Sequence, residues 1–247
     1  MIEINKIYNI ECLSFMKVIP NDYMTITITS PPYNMGDRVK DEAQTYTYNN
    51  KDNLDFNEYK LFIKEVISEL IRVTKYHVFF NIQEVNNNKG IISFIYQEFN
   101  NHIKEVFIWA KRNPPSHIVQ TQCSNGYEYI FCFSKDNPEY KKFNYCFFNN
   151  RNGDYMKNII INNVNNENFG HNYAFPKWLP NFFIKNFSQK GDLIFDCFMG
   201  SGTTAIVSKE LNRNFIGCEI SKDYCDIANK RLQQENLFTI LETNNGS

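Results

Sequence analysis

The stretch that most constrains the fold is a glycine-rich turn between two apolar runs, at residues 193–207. The turn follows Asp196 and has the sequence DCFMGSGTT. A buried strand, a tight glycine turn and a helix start bring the backbone close to a nucleotide-like ligand in α/β sheets. Gly200 and Gly202 permit backbone angles and a close approach that a side chain would prevent. The pattern therefore predicts an α/β sheet with a ligand at this turn.

An acidic residue after the next apolar run supports a ligand at the turn. Glu219 follows the run Phe215–Cys218, about one strand–helix–strand unit downstream of the glycines. A carboxylate at this place can accept hydrogen bonds from ribose hydroxyls. The alternative explanation is a structural glycine turn without a ligand. The position of Glu219 favours the nucleotide-like ligand.

The rest of the chain alternates strand and helix patterns, as an α/β fold requires. Asp55 and Glu58 resemble the capping box of a long amphipathic helix. Two β-like runs, 105–109 and 127–133, are expected to form an antiparallel pair at the edge of the sheet. The 247 residues are long enough for one large domain, 1–247.

Two polar segments interrupt the alternation. Residues 35–54 lack an apolar period and predict a mobile loop. Residues 135–172 are polar, Asn-rich and aromatic, and predict a small inserted lobe.

Composition excludes several classes of protein. The 26 Lys and Arg residues are balanced by 27 Asp and Glu, so binding to nucleic acid would need a local basic patch. The seven cysteines include no C-x-x-C pair, which favours reduced thiols over disulfides or a metal site. With no signal segment and no apolar run long enough to span a bilayer, we expect a soluble, intracellular protein without membrane contact.

A second polar turn, TSPPYN at residues 29–34, follows a predicted strand. Its two prolines fix backbone angles and remove donors. The Ser30 hydroxyl and the Pro31 carbonyl can both accept hydrogen bonds from an amino group, and Tyr33 offers a flat face on which a base can stack. The alternative is a Pro-Pro turn followed by an ordinary surface tyrosine. In an open α/β sheet this turn and the glycine turn would share one edge, although about 165 residues separate them.

These two turns resemble motifs of one family. TSPPYN is similar to motif IV, and DCFMGSGTT to motif I, of the S-adenosylmethionine-dependent amino-group DNA methyltransferases. The catalytic motif precedes the cofactor motif, which resembles the circularly permuted β class of that family. Trp109–Pro114 with Tyr127–Ile130, and the block HNYAFP at 171–176, resemble further segments of the family. The resemblance implies a Rossmann-like, mixed but mostly parallel sheet with helices on both faces.

The resemblance also implies roles for individual residues. Ser30, Pro31, Pro32 and Tyr33 would be catalytic. Glu219 would bind the ribose of S-adenosylmethionine, and Glu11, which stands where the family usually has Asp, would contact its adenine. The complete set of residues implied for the cofactor is Glu11, Thr29, Phe175, Asp196, Phe198, Gly200, Gly202, Thr203 and Glu219.

The implied macromolecular partner is DNA, with the target base flipped out of the duplex. Residues 135–172 would form the target-recognition region. The predicted DNA contacts are Asn34, Arg38, Lys40, Lys111, Arg112, Lys141 and Lys142, although each of these charged side chains, taken alone, is more often a solvated surface charge. A monomer or a homodimer, and a cognate restriction enzyme as a further partner, are both consistent with the family.

The choice of base follows from the same turn. A carbon-5 cytosine methyltransferase needs a nucleophilic thiolate in a Pro-Cys pair, and the sequence contains no such pair. Serine at the head of S-P-P-Y resembles the cytosine-N4 subgroup, and adenine N6 is the alternative. An RNA or protein amide methyltransferase and a DNA-binding module without turnover are the remaining rivals.

Overall fold

The computed structural model describes residues 2–36, 53–114, 123–135, 139–149, 154–164 and 176–244, with side chains up to residue 234. Its strands are β1 Lys6–Asn9, β2 Met24–Thr29, β3 Thr74–Ile82, β4 Ile103–Lys111, β5 Tyr127–Phe133, β6 Ile159–Asn162, β7 Leu193–Asp196 and β8 Asn214–Glu219. Its helices are α1 Cys12–Met16, α2 Phe56–Val73, α3 Ile91–Phe99, α4 Trp178–Phe187, α5 Thr203–Glu210 and α6 Lys222–Asn244.

The described strands form one eight-stranded sheet in the order β1-β8-β7-β2-β3-β5-β4-β6. Strand β5 runs antiparallel to β3 and β4, and every other neighbouring pair is parallel. The predicted mixed, mostly parallel Rossmann-like sheet is confirmed. The carboxyl ends of the parallel strands and the beginning of β5 lie along the same side of the sheet, which we call the carboxyl rim.

One prediction about the sheet is wrong. Strands β4 and β5 do pair antiparallel, but neither of them is the outermost strand of the sheet. Residues Ile159–Asn162, inside the predicted inserted lobe, form β6 and pair in parallel with the end of β4. Three isoleucines among asparagines gave too short an apolar run to predict a strand. Its pairing with β4 comes from tertiary structure.

Helices cover both faces of the sheet because the strand residues alternate in direction. On β3, Val78 and Phe80 face the cluster that α1, α2 and α3 complete, whereas Phe79 faces the cluster with α4. Helix α2 begins with the predicted capping box: the Asp55 carboxylate accepts the Asn57 N–H at 2.9 Å, and the Glu58 carboxylate accepts the Asp55 N–H at 3.3 Å.

The described part of residues 135–172 packs against the main body of the protein. The Tyr145 ring stacks on Tyr76 of β3 with 3.9 Å between ring centroids, and its hydroxyl donates to Asp192 at 2.7 Å. Phe143 packs on the α4 face of the sheet. Recognition of DNA by this region stays a prediction. The predicted loop 35–54 is described only at its ends, and residues 37–52 lie outside the described part.

All seven cysteines are free thiols, and five of them are buried. Across the described residues, no helix combines the length and the apolar character that crossing a membrane would need.

A buried histidine makes the fold sensitive to acid. His77 on β3 is fully buried, with the rings of Phe143 and Phe187 at 5.6 and 5.7 Å, and neither ring nitrogen finds a hydrogen-bond partner among the described residues. Burial, with a smaller effect of the Lys104 charge, lowers the pKa of His77 to about 4. The unfolded chain therefore binds this proton more readily, and stability is lost as the pH falls from about 6.5 towards 4.

Replacing His77 by Phe removes this titration. Between pH 7 and pH 4.5, the free energy of unfolding of the wild type should fall by about 2–3 kcal/mol more than that of His77→Phe. Urea unfolding at the two pH values measures the difference. Equal losses in the two proteins would show that His77 is not buried in its neutral form.

Candidate active site

A buried hydrogen bond joins the ends of β2 and β7 at the carboxyl rim. The Thr29 hydroxyl donates to Asp196 Oδ1 at 2.7 Å, and both residues are buried. The strands lie side by side, with Thr27 paired to Phe195 in the sheet. The S-P-P-Y turn and the glycine turn therefore begin at adjacent points, as the sequence led us to expect.

The Asp196 carboxylate shapes the glycine turn from the inside. Its Oδ2 accepts the Thr204 hydroxyl at 2.7 Å, and its Oδ1 also accepts the Phe198 N–H at 3.0 Å. Burial raises the pKa of Asp196 to about 6, against the opposite effect of the bonds from Thr204 and Thr29. Asp196 is 1 % exposed, so its side chain contacts protein on most sides. The sequence pattern indicated no role for Thr204, the second threonine after the glycines.

Glu219 at the end of β8 holds the same turn from the neighbouring strand. Its Oε2 accepts the Gly200 N–H at 2.9 Å, and its Oε1 accepts the Ser221 N–H at 2.9 Å. Burial raises the pKa of Glu219, and these two backbone donors act in the opposite direction. A carboxylate has further acceptor positions, so a contact with ribose stays a prediction.

The two glycines of the turn have backbone angles that favour glycine, with φ of 51° at Gly200 and 87° at Gly202. A Cβ at Gly202 would lie 2.8 Å from Cβ of Ala228 on α6. Arg231, one turn further along α6, donates to the Ser201 carbonyl at 2.6 Å. At Gly202, close packing of α6 is therefore a reason for glycine that the sequence pattern did not reveal.

The remaining residues implied for the cofactor lie near this turn or outside the described part. Glu11 caps α1 by accepting the N–H groups of Leu13 and Ser14 at 3.1 and 2.8 Å. It follows β1, whose Asn9 pairs with Glu219, so it lies at the carboxyl rim. Phe198 is half-buried in the turn, and Thr203 is buried at the start of α5. Phe175 lies outside the described residues.

The S-P-P-Y turn is held by hydrogen bonds to its backbone. The Tyr59 hydroxyl of α2 donates to the Pro32 carbonyl at 2.8 Å. Asn88, in the short turn after β3, donates its amide to the Tyr33 carbonyl at 2.8 Å. Two elements thus position the turn against the rim.

Asn34 differs from its predicted role as a DNA contact. It is fully buried and has a left-handed φ of 59°. Its amide group donates to the carbonyls of Leu54 and Asn87 at 3.0 and 3.3 Å, and its Oδ1 accepts the Leu54 N–H at 2.7 Å. Asn34 therefore joins the two ends of the 35–54 segment, and its buried amide faces protein instead of DNA.

The Tyr33 hydroxyl connects Ser30 to a buried acid. Ser30 Oγ donates to the Tyr33 hydroxyl at 3.0 Å, and this hydroxyl donates to Glu128 Oε2 at 2.8 Å. Burial, and next the negative charge of Glu128, raise the pKa of Tyr33 above its ordinary value, so the phenol keeps its proton. Glu128 lies in the family-like segment Tyr127–Ile130, but no sequence pattern indicated a role for it.

Lys111 is the ionic partner of Glu128. Its Nζ lies 2.7 Å from Glu128 Oε1, and its side chain is 7 % exposed. The predicted contact of Lys111 with a DNA phosphate conflicts with this buried position, because the carboxylate already holds the ammonium group. The sequence alone could not show that β4 and β5 place these two residues together.

Known proteins resemble this chain in sequence over most of its length. The N6_N4_Mtase family model, described as DNA methylase, matches residues 24–230. The chain belongs to this DNA methylase family. Two of its relatives are the type II methyltransferase M.HpaI of Haemophilus parainfluenzae, 30% identical over 91% of this chain and 74% of the relative, and M1.MboII of Moraxella bovis, 29% identical over 95% and 98%.

Solved structures share the fold. The PvuII DNA methyltransferase (cytosine-N4-specific) has a TM-score of 0.70 at 17% identity and covers 90% of this chain and 84% of its own. The M1.HpyAVI–SAM complex has a TM-score of 0.63 at 22% identity and covers 92% and 98%.

Two of the basic residues predicted to contact DNA lie far from the rim in this member of the DNA methylase family. The Lys141 N–H donates to the carbonyl of Lys104, near the beginning of β4. Seven residues at about 3.3 Å each separate that position from Lys111, a distance of about 23 Å. Lys142 pairs with Glu139 at 2.7 Å. Their predicted contacts with DNA phosphates stay predictions, and any such contact would lie away from the two turns.

Arg112 is exposed directly after β4, at the carboxyl rim. Arg38 and Lys40 lie outside the described residues.

The Thr29–Asp196 bond gives a test at the level of stability. Thr29→Val keeps the shape of the side chain but removes a donor from a buried carboxylate, so it should cost about 1–3 kcal/mol at pH 8. Without this donor the pKa of Asp196 rises further in the folded protein, and stability falls more steeply as the pH rises through 6. The cost should therefore be smaller at pH 5, where Asp196 is protonated.

Thr27→Val is the matched control. Thr27 lies on the same strand and is equally buried, but its hydroxyl bonds the neutral hydroxyl of Thr74 at 2.6 Å. Its cost should be the same at both pH values. Urea unfolding measures the free energy of unfolding of both variants at the two pH values. A cost of Thr29→Val that does not change with pH would show that Asp196 is not ionised at pH 8.

Proposed function

We propose that this protein transfers a methyl group from S-adenosylmethionine to the exocyclic amino group of a flipped base in DNA, with cytosine N4 favoured. Membership of the DNA methylase family supports DNA as the substrate class. The single observation that carries the proposal is the 2.7 Å bond between Thr29 and Asp196. It brings the turn that suits an amino group next to the turn that suits a nucleotide-like cofactor.

The cofactor is assigned to the glycine turn. Phe198 is partly exposed there and can contact a ligand directly. Asp196 and Glu219 are buried and accept hydrogen bonds from the backbone of the turn. Their remaining acceptor positions would accept hydrogen bonds from the cofactor. The related fold of M1.HpyAVI, solved with this cofactor, supports the assignment.

The chemistry of the amino group explains the second turn. The lone pair of an aromatic amine is delocalised into the ring, which makes the nitrogen a poor nucleophile. Ser30 Oγ and the Pro31 carbonyl would accept hydrogen bonds from the two N–H groups of this amine. These bonds would favour a pyramidal nitrogen with a localised lone pair. The cofactor supplies a methyl group on a sulfonium. A C–N bond would form as the C–S bond breaks, S-adenosylhomocysteine would leave as a neutral thioether, and the methylated nitrogen would lose one proton to water.

Positioning supplies the remaining rate enhancement. Tyr33 would stack on the base, which must leave the duplex at a cost of a few kcal/mol to reach the pocket. Arg112 at the rim is a proposed phosphate contact, as are Arg38 and Lys40. The recognition of a particular sequence is assigned to residues 135–172.

Cytosine N4 is favoured by serine at the head of S-P-P-Y and by the shared fold with the cytosine-N4-specific PvuII enzyme. Adenine N6 is the second candidate. Transfer to RNA or to a protein amide is a weaker alternative.

A substrate panel tests the activity. Labelled S-adenosylmethionine is incubated with the protein and with duplex DNA, RNA or protein in parallel, and the DNA is digested to nucleosides for mass spectrometry. We expect label in DNA only and N4-methylcytosine as the product. N6-methyladenine would replace the favoured base, and label in RNA or protein alone would overturn the proposal. Sequencing the modified DNA identifies the target site.

Ser30→Ala tests the amino-group turn. Removing one acceptor from the reacting nitrogen should reduce kcat by about 10²–10³-fold, the range for loss of one positioned hydrogen-bonding group. Binding of S-adenosylmethionine, measured by calorimetry, should be unchanged. Ser93→Ala, an exposed serine on α3, is the control and should keep full activity. Wild-type turnover in Ser30→Ala would defeat the assignment of this turn.

A further inference from the structure

The hydrogen bonds beside the S-P-P-Y turn run in one direction. Ser30 Oγ and the Tyr33 hydroxyl are 3.0 Å apart, and Glu128 Oε2 lies 2.8 Å beyond. A hydroxyl group has one hydrogen and two acceptor positions, so a pair of hydroxyls can bond in either direction. The group at the end of the chain decides which direction is used.

Glu128 at the end of this chain acts as an acceptor. Lys111 Nζ lies 2.7 Å from Glu128 Oε1, and Asn81 Nδ2 donates to Oε2 at 2.9 Å. The same Asn81 amide nitrogen also donates to the Tyr129 carbonyl at 3.1 Å. Because a carbonyl oxygen can only accept, the orientation of the Asn81 amide is determined. Both oxygens of Glu128 therefore face donors.

The direction follows step by step. An ionised carboxylate has no hydrogen, so the Tyr33 hydroxyl must donate to Glu128. Its only hydrogen is then used, so Ser30 must donate to Tyr33. The hydrogen of Ser30 is thus directed to the Tyr33 hydroxyl, and only the lone pairs of Ser30 are left for a ligand.

We propose that Glu128, through Tyr33, is a specificity-determining positioning residue that makes Ser30 an obligate hydrogen-bond acceptor, so that the pocket admits a base with an amino group and rejects its carbonyl counterpart. The proposal rests on the proposed function and adds the reason for its choice of substrate. Serine alone would not discriminate, because its hydroxyl can also donate to a carbonyl. The buried Lys111–Glu128 pair maintains the acceptor at the end of the chain.

The rejection has a physical cost. A carbonyl oxygen placed against the lone pairs of Ser30 would make no hydrogen bond and would lose those it made to water. Sites built to bond one polar group discriminate strongly against an analogue that lacks it. The high pKa of Tyr33 supports the mechanism, since the phenol keeps its proton and the chain keeps its direction.

Equilibrium binding tests the proposal without requiring turnover. The duplexes carry the target site with either the amino base or its deaminated counterpart, which is cytosine against uracil or adenine against hypoxanthine. The target stands opposite an abasic site, so that differences in base pairing do not contribute. Dissociation constants are measured by fluorescence anisotropy with S-adenosylhomocysteine present. The wild type should prefer the amino base at least about tenfold.

Two variants should reduce this preference to within about threefold. In Glu128→Gln the side-chain amide can donate to Tyr33, so the chain can run in reverse and Ser30 can donate to a carbonyl. Tyr33→Phe keeps the aromatic ring and the Lys111–Glu128 pair but frees the Ser30 hydrogen. The second variant keeps the test valid if loss of the buried carboxylate impairs folding.

Tyr59→Phe is the matched control. It also removes a tyrosine hydroxyl that bonds the turn, at the Pro32 carbonyl, but it lies outside the Ser30–Tyr33–Glu128 chain. Its preference for the amino base should equal that of the wild type.

The outcomes separate the inference from the function. If the wild type methylates DNA but shows no preference in binding, or if folded Glu128→Gln and Tyr33→Phe keep the wild-type preference, Glu128 has only a structural role and the inference fails alone. If the wild type methylates no DNA, the proposed function fails, and the inference fails with it.

Discussion

The structure depends on one buried hydrogen bond, from the Thr29 hydroxyl to the Asp196 carboxylate. Each residue is the last of its strand, and the two strands are neighbours in the sheet. The S-P-P-Y turn and the glycine turn therefore leave the sheet at adjacent points. Breaking this contact would leave a carboxylate that is 1 % exposed short of a donor, which is expensive in a protein interior. The geometry of the candidate site is thus coupled to the stability of the sheet.

Buried acids recur at the carboxyl rim, and each one organises backbone or side chains around it. Asp196 gathers two threonine hydroxyls and one N–H, Glu219 gathers two N–H groups, and Glu128 gathers an ammonium, an amide and a phenol. Removing a carboxylate from water is costly unless donors replace the lost hydration. Several of these donors belong to the two turns, namely Thr29, Tyr33, Phe198, Gly200 and Thr204, so satisfying the buried charges also shapes the site.

Local patterns predicted most of the fold. Alternating β-branched residues marked β2, the Asp55–Glu58 pair marked the start of α2, and the glycine turn marked the junction of β7 and α5. Strand β6 was missed because a short apolar run becomes a strand only through its partner, β4. The same limit applies to the basic residues. Lys111 is buried against Glu128 at the carboxyl rim, whereas Lys141 lies near the beginning of β4, at the other end of the strand. No property of either lysine in the sequence indicated these positions.

The sequence by itself determined the fold class, the two turns and their residue types, because glycine, proline and periodic apolar residues act on the backbone over a few positions. Tertiary structure alone decided which polar groups meet. The bond between Thr29 and Asp196, the burial of Asn34 and the pairing of Lys111 with Glu128 join residues that are far apart in the chain or lie on different elements. Hydrogen bonds and ion pairs act only at short range in space, so their partners are known only once the strands have taken their order in the sheet.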